Sequence, residues 1–167
     1  MVTMVMPHRE PSIMLPSAGP TVLLVGDPYT LLLSGEQTNG AFALYEAGCS
    51  PGFGPPLHYH TREDETFYVL EGLVKFQIGQ REHVLGPGAT VHAPRNVVHC
   101  FHNDTAQPAR LLIQVTPAGS FDRYVEEVGE PFDLATYQPG VAPTAEHLHK
   151  VLARGPKYGI FFEGAGD

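Results

Sequence analysis

Basic residues are scarce in this chain: 10 lysines and arginines stand against 18 aspartates and glutamates, for a formal charge of −8. A nucleic-acid backbone or an anionic membrane needs positive patches on its main partner, so neither is expected here. Cysteine is almost absent. Cys49 and Cys100 form no metal pattern and no disulfide framework, and two free thiols suit a reducing compartment. Long hydrophobic runs are missing too. Stretches such as TVLLV and LLL fall far short of the roughly 20 residues that cross a bilayer. The first residues, MVTMVMPHREPSIMLP, lack a basic region followed by a long apolar one, so they do not have the form of a secretory signal. A soluble, cytoplasmic protein is expected.

What is plentiful is punctuation. The 18 glycines and 16 prolines are spread through the 167 residues and separate short β-rich runs. That length suits one domain with a core that needs no disulfides. The runs are TVLLV, YTLLLS, AFALYEA, PLHYH, TFYVLEG, LVKFQIG, REHVLG, TVHAP, VHCFHN and RLLIQVTP, and short strands at such spacing predict an all-β sandwich or barrel. Alternation puts Val74, Phe76 and Ile78 on one face, and likewise Leu111, Ile113 and Val115. Gly79-Gln80 predicts a hairpin between LVKFQIG and REHVLG. Two stretches read as helices. SFDRYVEEVG would be capped by Ser120. PTAEHLHKVLARG would be capped by Thr144, carry a stripe of Leu148, Val151 and Leu152, and end at Gly155-Pro156. The expected plan is an N-terminal arm over residues 1–28, a β core over 29–118 and a partly helical extension over 119–167.

The chemistry concentrates in PPLHYHTREDETFYVLEG. Residues two apart on a strand project from the same face, so His58 and His60 point together and Tyr59 away. Glu65 opens the next run and can bring a carboxylate to the same place. Imidazole with carboxylate suits Fe, Mn, Co, Ni, Cu or Zn and is similar to a facial triad with open positions. His99 is the candidate for a fourth ligand from another strand, with Val97 and Phe101 on its own face and Cys100 on the other. Glu63 and Asp64 read as solvated loop charges.

At these residues the chain resembles the cupin superfamily. The first cupin motif, G-x5-HxH-x4-E-x6-G, is matched by Gly52, His58, His60, Glu65 and Gly72. The second, G-x5-PxG-x2-H-x3-N, is matched by Gly88, Pro94, His99 and Asn103, with Asn96 where the family has glycine. Asparagine tolerates the left-handed backbone that such a glycine supplies. The resemblance implies a double-stranded β-helix, the jelly-roll barrel, holding one divalent transition metal per chain on His58, His60, Glu65 and His99. GPPLHYHTREDETFYVLEG and KYGIFFEG look most like the quercetinase-like single-domain cupins, dioxygenases that cleave a flavonol heterocycle with O2. For this chain that implies an oxidoreductase acting on a flavonol-like or other enolisable aromatic substrate, with Glu65 also accepting a proton from an acidic hydroxyl. The alternatives are a metal-dependent isomerase, decarboxylase or lyase on a small oxygenated metabolite, or a barrel that binds a ligand or metal without turnover.

Parity makes Phe67, Val69, Phe76, Val97 and Phe101 the expected apolar walls, with Phe53 at the mouth; Phe53, Phe67, Phe76 and Phe101 are the candidate substrate contacts. His102 is read as outward and His92 as a solvated strand residue. His83, His147 and His149 are read as surface residues, His8 as part of the arm, and Cys100 as packing. A Met-rich arm is hard to bury on one small barrel, so a homodimer is expected.

Overall fold

The computed structural model describes residues 11–164. His8 and the Met-rich start of the arm, on which the expected homodimer rests, lie outside them. The strands are β1 (Thr21–Leu24), β2 (Asp27–Leu33), β3 (Ala43–Cys49), β4 (His58–His60), β5 (Asp64–Glu71), β6 (Val74–Ile78), β7 (Arg81–Leu85), β8 (Thr90–Ala93), β9 (His99–His102), β10 (Ala109–Thr116), β11 (Glu130–Pro131) and β12 (Ile160–Phe162). The helices are α1 (Ser120–Val128) and α2 (Ala145–Tyr158), with a single 3-10 turn at Leu134–Thr136. Each of the ten β-rich runs seen in the sequence overlaps one of the first ten strands. No helix among the described residues is long and apolar enough to cross a membrane.

Two antiparallel sheets face each other. The larger runs β11-β1-β2-β3-β10-β5-β8 and the smaller β12-β4-β9-β6-β7. This is the jelly-roll barrel. Its interior follows the period of two: Ala43, Tyr45, Ala47 and Cys49 from β3, Phe67 and Val69 from β5, and Leu111, Ile113 and Val115 from β10 are all buried. β6 and β7 pair from Val74 with Leu85 to Ile78 with Arg81, as the Gly79-Gln80 turn predicts. The span read as an arm is shorter than expected. Thr21 to Leu24 pair with β2, and Val22 and Leu23 also pair with β11, so these residues belong to the larger sheet.

The helices correct two expectations. Gly119, at φ 116°, precedes α1, and Ser120 is its first residue, with no side-chain cap; the Ser120 hydroxyl instead accepts from Arg62. α2 does not stop at Gly155-Pro156. It carries Pro156 within its last turn and ends at Gly159, φ 82°, whose amide donates to the Gly155 and Pro156 carbonyls. Packing outweighs the local stop signal: Tyr158 is buried against Tyr124, ring centroids 5.8 Å apart. Gly155 is needed where it stands, because a Cβ there would lie 2.7 Å from both the Ile160 carbonyl oxygen and the Phe162 ring. Thr144 caps α2 as expected, accepting from the His147 amide. His147 itself is buried, not on the surface, and its Nδ1 lies 3.0 Å from a Glu130 carboxylate oxygen. Sequence polarity missed this because the apolar stripe of α2 includes it: His147, Val151, Gly155 and Tyr158 form the buried face.

Asn103, the last residue of the second motif, holds a turn together. It is fully buried, donates to the Cys49 and Gln107 carbonyls at 2.8 Å each, and accepts from the Thr105 amide at 2.9 Å. Asn103→Ala removes the side-chain partner of the Cys49 carbonyl and of the Thr105 amide, each costing about 1–3 kcal/mol, and leaves the Gln107 carbonyl only the Thr105 hydroxyl. The expected loss of unfolding free energy is therefore about 3 kcal/mol, measured by urea titration. A loss below about 0.5 kcal/mol, the size of an ordinary surface change, would show that the turn does not depend on Asn103.

Candidate metal centre

His58 and His60 lie on β4, His99 lies on β9 directly opposite His58, and Glu65 comes from β5 across the barrel. All four side chains are buried. One ligand atom from each lies within 4.8 Å of the others. The Nε2 atoms of His99, His60 and His58 stand 2.7, 3.5 and 3.9 Å from Glu65 Oε2. An ion about 2.1 Å from each ligand atom requires separations of roughly 3–4 Å.

The back sides of the rings fix which nitrogen faces the centre. His58 Nδ1 lies 2.8 Å from the Pro56 carbonyl and His99 Nδ1 2.8 Å from the Val97 carbonyl. A carbonyl can only accept, so both Nδ1 atoms carry hydrogen. His60 Nδ1 faces the Glu63 carboxylate at 3.4 Å. A ring held this way presents, in its neutral form, an Nε2 lone pair inward, the arrangement a metal ligand needs. His60 Nε2 is buried without a hydrogen-bond partner among the described residues. Such an orphaned acceptor, together with three imidazoles and one carboxylate, fits a divalent transition metal.

Burial and charge act on three of the four groups. Burial, with His99 and His60 nearby, pulls His58 down to about 3, which keeps it neutral. Burial alone would push Glu65 up, but His60, His99 and His58 together outweigh it and bring the carboxyl down to about 2. Glu65 is therefore ionised across the ordinary pH range. Burial also opposes a charged His99, yet its hydrogen bond to Glu65 and that group's charge prevail and raise it.

Glu63, read from sequence as a solvated charge, is instead buried beside His60. The signal was the i, i+3 spacing from His60, which a sharp turn converts into a contact. Asp64 does face solvent, paired with Arg95. Asn96 takes up φ 64°, the conformation that the family's glycine supplies, and donates its amide to the His60 carbonyl at 2.7 Å. His92 is exposed beside Thr66, and His102 is bound to Asp104 on the outer surface.

The walls differ from those expected. A cavity of about 30 Å³ adjoins His58, His60 and Glu65, room for a water or two. Of the four candidate phenylalanines only Phe101 lines it. Phe67 and Phe76 are buried in an aromatic cluster with Phe101, and Phe67 also packs edge-on to His99 at 6.1 Å. Phe53 stands half-buried in the loop before β4, its carbonyl accepting from the Asn103 amide. Val97 supplies its carbonyl to His99, not a wall. The remaining walls include Tyr29 from β2, Phe121 and Tyr124 from α1, Val151 from α2 and Phe162 from β12. β12 pairs with β4, Ile160 opposite His60 and Phe162 opposite His58, so the last strand of the extension closes over the histidines.

Comparison with known proteins gives the same answer. The family described as Cupin domain matches residues 47–115, which hold all four candidate ligands. Quercetin 2,3-dioxygenase of Bacillus subtilis (strain 168) is 30% identical over 112 residues, covering 66% of this chain and 33% of that protein. Germin-like protein 5-1 of Oryza sativa subsp. japonica is 33% identical over 91 residues, covering 50% and 39%. The chain thus spans about a third of the length of these curated relatives. Among solved structures, KdgF from Halomonas sp. shares the fold with a TM-score of 0.59 at 15% identity, covering 66% of this chain and 96% of its own. With both sheets, the four-residue cluster and the family match in agreement, the chain belongs to the cupin superfamily.

Removing the carboxylate behind His60 tests the centre. Glu63→Ala is expected to weaken metal binding about 10–100-fold, measured by competition with a chromophoric chelator. His99→Ala is expected to weaken it further while the far-UV circular dichroism stays that of the parent. Full occupancy in His99→Ala would remove His99 from the ligand set.

Proposed function

We propose that this protein is a metal-dependent oxygenase that uses O2 on an enolisable aromatic substrate of the flavonol class. The observation that carries the reading is the buried set of three inward Nε2 atoms and one ionised carboxylate beside a cavity, joined to the likeness to a quercetin 2,3-dioxygenase. A divalent transition metal held by His58, His60, His99 and Glu65 would lower the pKa of a substrate hydroxyl bound to it and supply redox chemistry. The chain's own residues do the rest. The Pro56 and Val97 carbonyls and Glu63 hold the three rings in orientation. Glu65 is the one carboxylate among the four ligands, ionised and within reach of a hydroxyl proton at the centre, and it serves as the base. Phe162, Tyr124 and Val151 keep bulk water out.

One observation favours a second reading. A cavity of about 30 Å³ admits no flavonol while its walls stand as they do. A metal-dependent isomerase, decarboxylase or lyase acting on a small oxygenated metabolite fits that volume more easily.

Oxygen consumption separates the two. Metal-loaded protein given quercetin is expected to consume O2, and Glu65→Gln to lower the rate per bound metal by about 10²–10⁴-fold. Turnover of a small metabolite under strictly anaerobic conditions, with no O2 uptake on any flavonol, would favour the second reading. Unchanged turnover in Glu65→Gln would remove Glu65 as the base.

A further inference from the structure

Two cavities meet at Tyr29. The inner one is the 30 Å³ space beside the histidines. The outer one is a cleft of about 520 Å³ between the β1–β2 hairpin and α1. Tyr29 is the one described residue that lines both. Helix α1 divides its side chains between them. Phe121 and Tyr124 face the inner space, while Asp122, Arg123, Val125 and Glu126 border the cleft. The wall between cleft and metal centre is therefore one tyrosine and one helix.

The cleft has the size of sites that hold small organic ligands, about 300–1,000 Å³. A sheet face and a helix flank it, which favours a flat molecule. Val22, Leu31, Val125 and the Tyr45 ring give it an apolar lining. The floor is tied down: Asp122 accepts from the Gly35 amide at 3.0 Å and from the Tyr45 hydroxyl at 3.4 Å. At the rim, the Arg123 Nε donates to the Gly119 carbonyl, which steadies the guanidinium, and Arg123 enters no ion pair among the described residues. Glu36 and Glu126 border the same cleft. One guanidinium among three carboxylates, Glu36, Asp122 and Glu126, suits a weakly acidic oxygen and rejects a multiply charged anion.

We propose that this cleft is a binding site for a flat, weakly acidic, hydroxylated aromatic molecule, and that the Tyr29 ring is the partition between it and the metal cavity. The first half stands on the cleft alone; the second rests on the oxygenase reading, because it gives the bound molecule a path to the histidines. Burial, with the charges of Asp27 and Glu65 adding to it, holds the Tyr29 phenol neutral, so the ring can turn without moving a charge.

The test uses quercetin as the probe and metal-free full-length protein, followed through the absorbance shift of the flavonol. Saturable binding of about one molecule per chain is expected. Leu31→Trp fills the cleft from its strand wall and Arg123→Gln removes the guanidinium. Each is expected to raise Kd about tenfold or more. Arg123 is exposed and carries the test alone if Leu31→Trp does not fold. Absence of saturable binding, or wild-type Kd in the folded variants, would overturn the site. For the partition, Tyr29→Leu in metal-loaded protein is expected to speed metal capture by a chelator about tenfold, and quercetin to slow capture from the wild type. An unchanged capture rate in both overturns the partition. Quercetin binding that depends on Leu31 and Arg123 but gives no O2 uptake would count against the oxygenase reading and leave the site standing.

Discussion

Three imidazoles in this barrel have their Nδ1 hydrogens directed at fixed acceptors: two backbone carbonyls and one buried carboxylate. That commitment turns three Nε2 atoms, in a dry interior, towards Glu65. Polar groups buried in such surroundings are costly unless something satisfies them, and His60 Nε2 has no hydrogen-bond partner among the described residues. A metal ion would resolve all of this at once. The rest of the fold is arranged so that these rings cannot turn away.

The arrangement depends on elements distant in sequence. β4 is only three residues long and would be poorly held on its own. It is fixed on one side by His99 on β9 and on the other by β12. β12 is in turn placed by α2, through the bare face of Gly155 and the left-handed turn at Gly159, whose carbonyl accepts from the Thr61 amide just past His60. α1 and α2 are joined by the Tyr124 hydroxyl on the Val151 carbonyl, and both residues also wall the cavity. The C-terminal extension thus walls and braces the candidate metal centre, and the family match over residues 47–115 does not reach it.

Much of this was legible in the sequence. Alternation located the strands because both sheets bury one face, and a period of two survives wherever one face is dry. The ligand spacing was legible because His58 and His60 must share a face of one strand. Other features were set by contacts that no local pattern carries. Glu63 looks like its neighbours Arg62 and Asp64, and only the turn after β4 buries it. His147 reads as polar, but the register of α2 places it on the packed side. Phe67 and Phe76 point inward as parity requires, yet they lie in the aromatic cluster, and the space beside the histidines is walled by Tyr29, Phe121 and Phe162 from the two ends of the chain. The Gly155-Pro156 stop signal gave way to the packing of Tyr158.

His58, His60, Glu65 and His99 are proposed to hold one metal ion. Elemental analysis of protein purified without added metal or chelator tests it most directly. About one equivalent of Fe, Mn, Co, Ni or Cu per chain is the result expected of an O2-using centre. Zinc at the same stoichiometry would keep the ligand set and point away from redox chemistry. Less than about a tenth of an equivalent of any transition metal, even after reconstitution, would contradict the account.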